Sequence, residues 1–246
     1  MSHFFVTSGQ IAGEELTIVG EDVNHMKNVL RMRAGEAFTA ADENGIFYHC
    51  EVEILDKQEV TAKIMWKEQG TSELSSKIYL FQGLPKSDKM ELIIQKAVEL
   101  GAYEIVPVAT KRAIVKLDAK KEASKLKRWQ AIAEGAAKQS GRMLVPKISE
   151  AKTFGEALQM AQALDVNVIP YECARGMEAT REIFGNIKPG MSVGIFIGPE
   201  GGFEESEVEK AQQMDVKPVT LGKRILRTET AGLTTLSILM YLLEEA

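Results

Sequence analysis

Two cysteines in 246 residues, Cys50 and Cys173, are too few and too far apart for a disulfide framework, and there is no CxxC pair. Histidine is nearly as scarce. His3, His25 and His49 show no metal-ligand spacing, so no metal is expected. No apolar run reaches the roughly 18 residues that a membrane span requires. The opening MSHFFVTSGQ lacks a basic start and a long apolar stretch, which argues against a secretory leader. These absences together point to a reducing cytoplasm and away from membranes. Internal repeats and low-complexity tracts are also missing.

What is present is a chain that can fold. Apolar residues make up 45% of it, enough for a sizeable core, and its length suits one small and one medium domain. A net charge of −5 weakly disfavours nucleic acid as a partner. The average conceals residues 111–128, KRAIVKLDAKKEASKLKR, where eight Lys/Arg face two acids, a local +6 that leaves −11 for the rest. Such a segment is either a solvated helix face or a local site for a polyanion.

Short β-branched and aromatic runs fill the N-terminal part: FFV (4–6), ELTIV (15–19), EAFTAAD (36–42), GIFYHCEVEIL (45–55) and EVTAKIMW (59–66). One helix fits at 22–31, and the many short strands suggest a small barrel. The polar stretch EQGTSELSS (68–76) marks a boundary, giving domains at 1–70 and 71–246. Beyond it, strands alternate with helices, which predicts a parallel sheet covered by helices, an α/β fold. The closing segment, TAGLTTLSILMYLLEEA, is apolar nearly all round and is expected to be buried.

In parallel sheets, ligands sit at the carboxyl ends of strands. Three loops leave such ends: YECARG (171–176), IGPEGGF (197–203) and LGKRILRTET (221–230). The glycines of IGPEGGF allow a ligand close to the backbone. Neither a P-loop nor a GxGxxG fingerprint is present, and Glu200, Glu204 and Glu205 would repel phosphate. A neutral or cationic ligand, or a tight turn with no ligand, fits better. In the third loop, Thr228 or Thr230 can cap the last helix, and Arg227 pairs with Glu229 or Glu200 unless it serves a ligand.

IGPEGGF followed by LGKRILRTETA resembles the SPOUT class of knotted methyltransferases, and more narrowly the bacterial small-subunit rRNA uridine-N3 methyltransferases. The likeness runs along the whole chain, through DVNHMKNVLRMRAGE, LPKSDKMELIIQKAVELG and RWQAIAEGAAKQSGRMLVPKI. It implies a PUA-like N-terminal β-barrel for RNA, a C-terminal α/β domain with a deep trefoil knot, S-adenosylmethionine as methyl donor, and a homodimer. One departure is His3, where family members often carry an arginine before the FF pair.

The resemblance further implies a donor site at Tyr171 and Glu172, at Gly198, Pro199, Glu200 and Gly201, and at Leu221, Gly222, Arg224, Ile225, Leu226, Thr228, Thr230 and Ala231. Arg227 is the expected stabiliser of charge on the acceptor base, with Glu200 or Glu229 taking its proton or orienting Arg227. Ribosomal RNA, within an assembled small subunit, is the expected partner. Its phosphates are assigned to Arg31, Arg33, Lys86 and Lys89, and to Lys111, Arg112, Lys116, Lys120, Lys121, Lys125, Lys127 and Arg128, with Arg142 nearer the target nucleotide. Two other readings fit the same residues. One is a non-catalytic RNA-binding ribosome-assembly factor; the other is a methyltransferase of this class acting on tRNA or a ribose hydroxyl.

Overall fold

The computed structural model describes residues 2–113, 119–172 and 176–244, and only the backbone of 119–121. Lys116 and Cys173, and the side chains of Lys120 and Lys121, therefore lie outside the described residues. The chain divides into two compact units, Met1–Glu73 with Ala137–Val145, and Leu74–Ala136 with Pro146–Ala246. The return of residues 137–145 to the first unit has no counterpart in the sequence pattern.

In the first unit, strands β1 (Ser2–Phe5), β2 (Ile11–Ala12), β3 (Glu15–Val19), β4 (Ala37–Ala41), β5 (Ile46–Leu55) and β6 (Glu59–Gln69) form one sheet. Its order is β1-β4-β5-β6-β3-β2, and only the β1–β4 pair is parallel. Period-2 alternation sends Phe4, Phe38, Cys50, Val52 and Val60 inward and leaves Glu51 and Glu53 exposed. The expected helix is a short α1 (Glu21–Asn24) running into a π-helical turn, His25–Val29, and Val23 and Met26 fill the inner face. Among the described residues no ladder joins β1 to β2. The expected closed barrel is thus an open sheet by hydrogen bonding, folded over one core.

The second unit alternates as expected: β7 (Lys77–Gly83), α2 (Lys89–Glu99), β8 (Ala102–Ala109), α3 (Ala119–Ser140, whose last turn counts with the first unit), β9 (Lys147–Ile148), β10 (Lys152–Thr153), α4 (Phe154–Ala161), β11 (Val166–Pro170), α5 (Met177–Gly185), β12 (Ser192–Ile197), α6 (Glu205–Gln213), β13 (Val216–Val219) and α7 (Thr228–Leu243). The sheet order is β10-β8-β7-β12-β11-β13, with β9 beside β8, and all its pairs are parallel. Central strands are buried on both faces, so β7 and β12 read as nearly continuous apolar runs. Because β12 lies between β7 and β11, with β13 outside β11, the loops after β11, β12 and β13 emerge side by side.

Helix α7 corrects one expectation. It buries Thr228, Gly232, Thr235, Leu236, Leu239 and Leu243 against α2, β7 and β12. Its other side, with Leu233, Ile238 and Leu242, lines an open depression, and Tyr241 there is 81% exposed. Full burial would need a cover that no described residue supplies.

Candidate functional site: a cavity at three strand ends

The loop after β12 is built on close backbone approach. Gly202 donates its amide to Pro199 O at 2.9 Å, closing a four-residue turn. A Cβ on Gly198 would lie 3.0 Å from Gly202 Cα, and one on Gly83 would lie 2.7 Å from Pro199 N. Side chains at these two positions would prise the turn apart.

Thr228 ties this turn to the loop after β13. Its hydroxyl donates to Gly198 O at 2.5 Å and accepts from Gln82 Nε2 at 2.9 Å. It does not cap α7, since the N-cap position belongs to Arg227, in extended conformation. Gln82 is fully buried and also donates to Gly83 O. It escaped the sequence reading, although an amide ending the apolar strand KIYLFQGL is the signal for it.

The three loops enclose a cavity of about 460 Å³. That is within the usual range for small-molecule sites, about 300–1,000 Å³. Tyr171 and Glu172, the Gly198–Gly201 turn, Leu221, Gly222, Arg224, Leu226, Thr228 and Ala231 all line it. Ile225 lines it too, but it is 83% exposed and has no packed position. Thr230 does not belong. It lies in the open depression, because two residues beyond Thr228 is about 200° round a helix, whereas Ala231 comes back toward the cavity.

The charges at the rim are arranged differently from the expectation. Lys89 Nζ lies 3.1 Å from Glu200 Oε1 and 3.5 Å from Glu229 Oε2. Its pKa is raised, chiefly by the hydrogen bond to Glu200, with desolvation opposing. The Glu200 carboxylate also accepts the Lys86 amide at 3.1 Å. Burial pushes its pKa up, but hydrogen bonds from its own amide, Lys89 and Lys86 outweigh that and hold it below the ordinary value. Glu200 is therefore ionised at neutral pH. Glu229 Oε2 is buried, with Lys89 Nζ 3.5 Å away, at the limit of hydrogen-bond reach. With both acids turned to Lys89, the exposed Arg227 guanidinium pairs with neither.

Several residues expected on RNA phosphates are engaged within the protein. Lys89 is one, and only the backbone amide of Lys86 is used there. Arg112 donates to Gly201 O at 2.9 Å, steadying the glycine turn from the cavity rim. Lys111 reaches Ser206 Oγ at 2.9 Å and Glu204 at 3.3 Å. Arg128 forks onto Glu91, and Lys125 sits over the Trp129 ring. Arg142 is the clearest correction: it is buried, with its guanidinium forked onto Glu73, and is not available to a nucleotide. Arg31, Arg33 and Lys127 are exposed. His3 offers RNA no charge. It is 7% exposed, stacked on Phe47, with Nε2 3.1 Å from Arg142 O and Nδ1 3.0 Å from Thr39 Oγ1.

The lining is mixed in charge, with Lys89, Arg112, Arg224 and Arg227 beside Glu172 and Glu200, and its tight backbone approaches suit a small ligand held by main-chain groups. Comparison with known proteins identifies the family. Residues 72–240 match the RNA methyltransferase domain family, and residues 18–65 match the RNA methyltransferase PUA domain. The ribosomal RNA small subunit methyltransferase E of Bacillus subtilis (strain 168) is 39% identical, over 98% of this chain and 96% of its own. The chain belongs to the ribosomal RNA small subunit methyltransferase E family. A family member from Neisseria gonorrhoeae, solved bound to S-adenosylmethionine, superposes with a TM-score of 0.85 at 33% identity, covering 98% of both chains. A Legionella pneumophila protein solved with the same cofactor gives 0.86 at 30% identity, covering 97% of this chain and 96% of its own. Among the described residues, no cluster of His, Cys, Asp and Glu could hold a metal.

Proposed function

We propose that the protein transfers a methyl group from S-adenosylmethionine to N3 of one uridine of 16S rRNA. The observation that carries this reading is the convergence of three strand-end loops on one cavity, with Arg227 in its lining and outside the Lys89–Glu200–Glu229 ion pairs. The donor fits these residues: it is a cationic nucleoside without phosphate. Gly198, Leu221 and Leu226 line the cavity, and their backbone groups would hold its base, with the Leu226 side chain against the ring. When bound, the cofactor supplies an electrophilic methyl on a sulfonium.

The protein's part is then to prepare the acceptor. The imide N–H of uridine must give up its proton, and negative charge grows on the flanking carbonyl oxygens. Arg227 meets that charge. Glu200, which lines the cavity, or Glu229 takes the proton, and Lys89 holds both carboxylates in place. In-line alignment supplies much of the rate, up to about 7–11 kcal/mol in favourable cases. The target base has to be unpaired or flipped out to reach the cavity.

The same reading takes a trefoil knot in the second unit, a PUA-like RNA-binding role for the first, and an assembled small subunit in the cytoplasm as the substrate. No helix among the described residues is long and apolar enough to cross a membrane. It also takes a homodimer joined through the open apolar side of α7. The deciding experiment incubates the protein and S-adenosylmethionine with small subunits from cells lacking the gene, then digests the RNA to nucleosides for mass spectrometry. The expected product is 3-methyluridine at one position. Methyl on another atom, or none despite cofactor binding by calorimetry, overturns the assignment.

A further inference from the structure

The outer face of the N-terminal sheet carries a row of rings that the methyl-transfer cavity does not use. Alternation along β5 turns Tyr48 and Cys50 inward and Phe47 and His49 outward. In β6, Ala62 and Ile64 pack toward the core, so strict alternation would send Trp66 inward too. It does not go there. The ladder pairs His49 with Trp66 and Cys50 with Ile64, leaving Met65 as an extra residue in a bulge. That one-residue slip puts the indole on the outer face, beside His49.

The rings then form a continuous series across three strands. Phe5 meets His3 edge-on at 5.1 Å, and His3 stacks on Phe47 at 5.1 Å and 10°. Phe47 meets His49 at 5.3 Å, and His49 stacks on Trp66 at 4.1 Å and 14°. The series is buried at the His3 end and open at Trp66, which is 57% exposed. The His49 ring is held at its edge by Glu68 Oε1, 2.9 Å from its Nε2. The indole thus has imidazole against one face and solvent at the other. Lys63, on the same face of the same strand, is exposed and forms no ion pair.

We propose that Trp66, backed by His49, is a stacking platform for one unpaired base of the RNA substrate, separate from the nucleotide that is methylated. The inference rests on RNA being the substrate. A flat, pre-set π-face accepts any base, and the unpaired Lys63 draws a neighbouring phosphate. Much of this unit matches an RNA methyltransferase PUA domain, which favours RNA over a protein partner.

The test uses the full chain, a short single-stranded RNA of mixed sequence, and the same backbone without bases. The wild type and Trp66→Phe are compared by fluorescence. The other tryptophan, Trp129, is buried, so the difference reports Trp66. The base-bearing RNA quenches this signal and the abasic one does not. Trp66→Ala raises Kd for the base-bearing RNA at least about fivefold, Trp66→Phe restores most of the affinity, and neither changes the melting temperature appreciably. Unchanged affinity of Trp66→Ala, equal quenching by both RNAs, or a loss seen with assembled subunits but not with naked RNA overturns the platform. The last outcome marks a protein contact. Methyl transfer is followed in the same samples. Wild-type transfer with no Trp66 effect removes only the platform, while a Trp66 effect without any transfer removes only the enzymatic reading.

Discussion

Arg227 lines the cavity and pairs with neither Glu200 nor Glu229, both of which lie against Lys89. A guanidinium kept free at a cavity mouth meets developing negative charge without first breaking a pair. Arg227→Ala should lower kcat by about 100- to 1,000-fold. The affinity for S-adenosylmethionine, measured by calorimetry, should stay near wild type, and a large loss there would move Arg227 into the donor site. Lys89→Met should also lower kcat, by releasing both acids to capture Arg227, yet leave the salt dependence of RNA binding unchanged. A flatter salt dependence would return Lys89 to the phosphate set. His3 makes a prediction of a different kind. Burial holds its pKa below the ordinary 6.5; the Arg142 carbonyl opposes this and Lys138 adds to it. The unfolded chain then binds a proton that the folded chain refuses. Its stabilising contribution is complete above about pH 6.5 and is lost as pH falls from there through the folded value. Thermal melts of wild type should fall over that window, and His3→Gln should flatten the dependence. Equal slopes for the two proteins would show that another group dominates.

Elements were legible in the sequence where periodicity speaks, and illegible where a partner far along the chain decides. The glycine turn, its neighbouring strands and the loop after β13 announce themselves through apolar runs ending in Gly and Pro. The bulge at Met65 does not, nor does Arg142, whose partner Glu73 lies 69 positions away. Strands β9 and β10, of two residues each, carry no pattern at all. For helix α7, apolar composition shows that a face must be covered, not by what. Two predictions belong here. Gly83→Ala places a methyl group against the backbone of Pro199 and should cost about 1–3 kcal/mol in stability. It should also shrink the rise in melting temperature that S-adenosylmethionine produces; an undiminished rise would show that the turn yields without harm to the cavity. Leu242→Glu sets a charge on the open side of α7, where Tyr241 already lies in solvent. By sedimentation, the variant should be a monomer at concentrations where wild type is a dimer, and methyl transfer should fall with it. A wild-type monomer would discard the proposed interface.

For the molecule as a whole, net charge and the basic segment give conflicting hints, and the fold resolves part of the conflict. The chain is at −5, and residues 111–128 carry a local +6. Yet Lys111, Arg112 and Arg128 within that segment already have partners in their own unit. Exposed pairs such as Arg128 with Glu91 are weak, so phosphate can still compete for them. The buried Arg142–Glu73 fork is another matter, because opening it would strand a charge away from water. Exposed Arg31 and Arg33 have no such tie. The salt dependence of RNA affinity separates these cases, since each phosphate released from an unpaired strand changes the slope of log K against log salt by about 0.7. Replacing Arg31 and Arg33 together with alanine should flatten the slope by roughly 1.4, with the melting temperature unchanged. Arg142→Ala should do the reverse, lowering stability by about 3–5 kcal/mol while the slope of the remaining folded protein holds. If Arg142→Ala flattens the slope and leaves the melt alone, the guanidinium leaves Glu73 to meet RNA, and the first unit rearranges on binding.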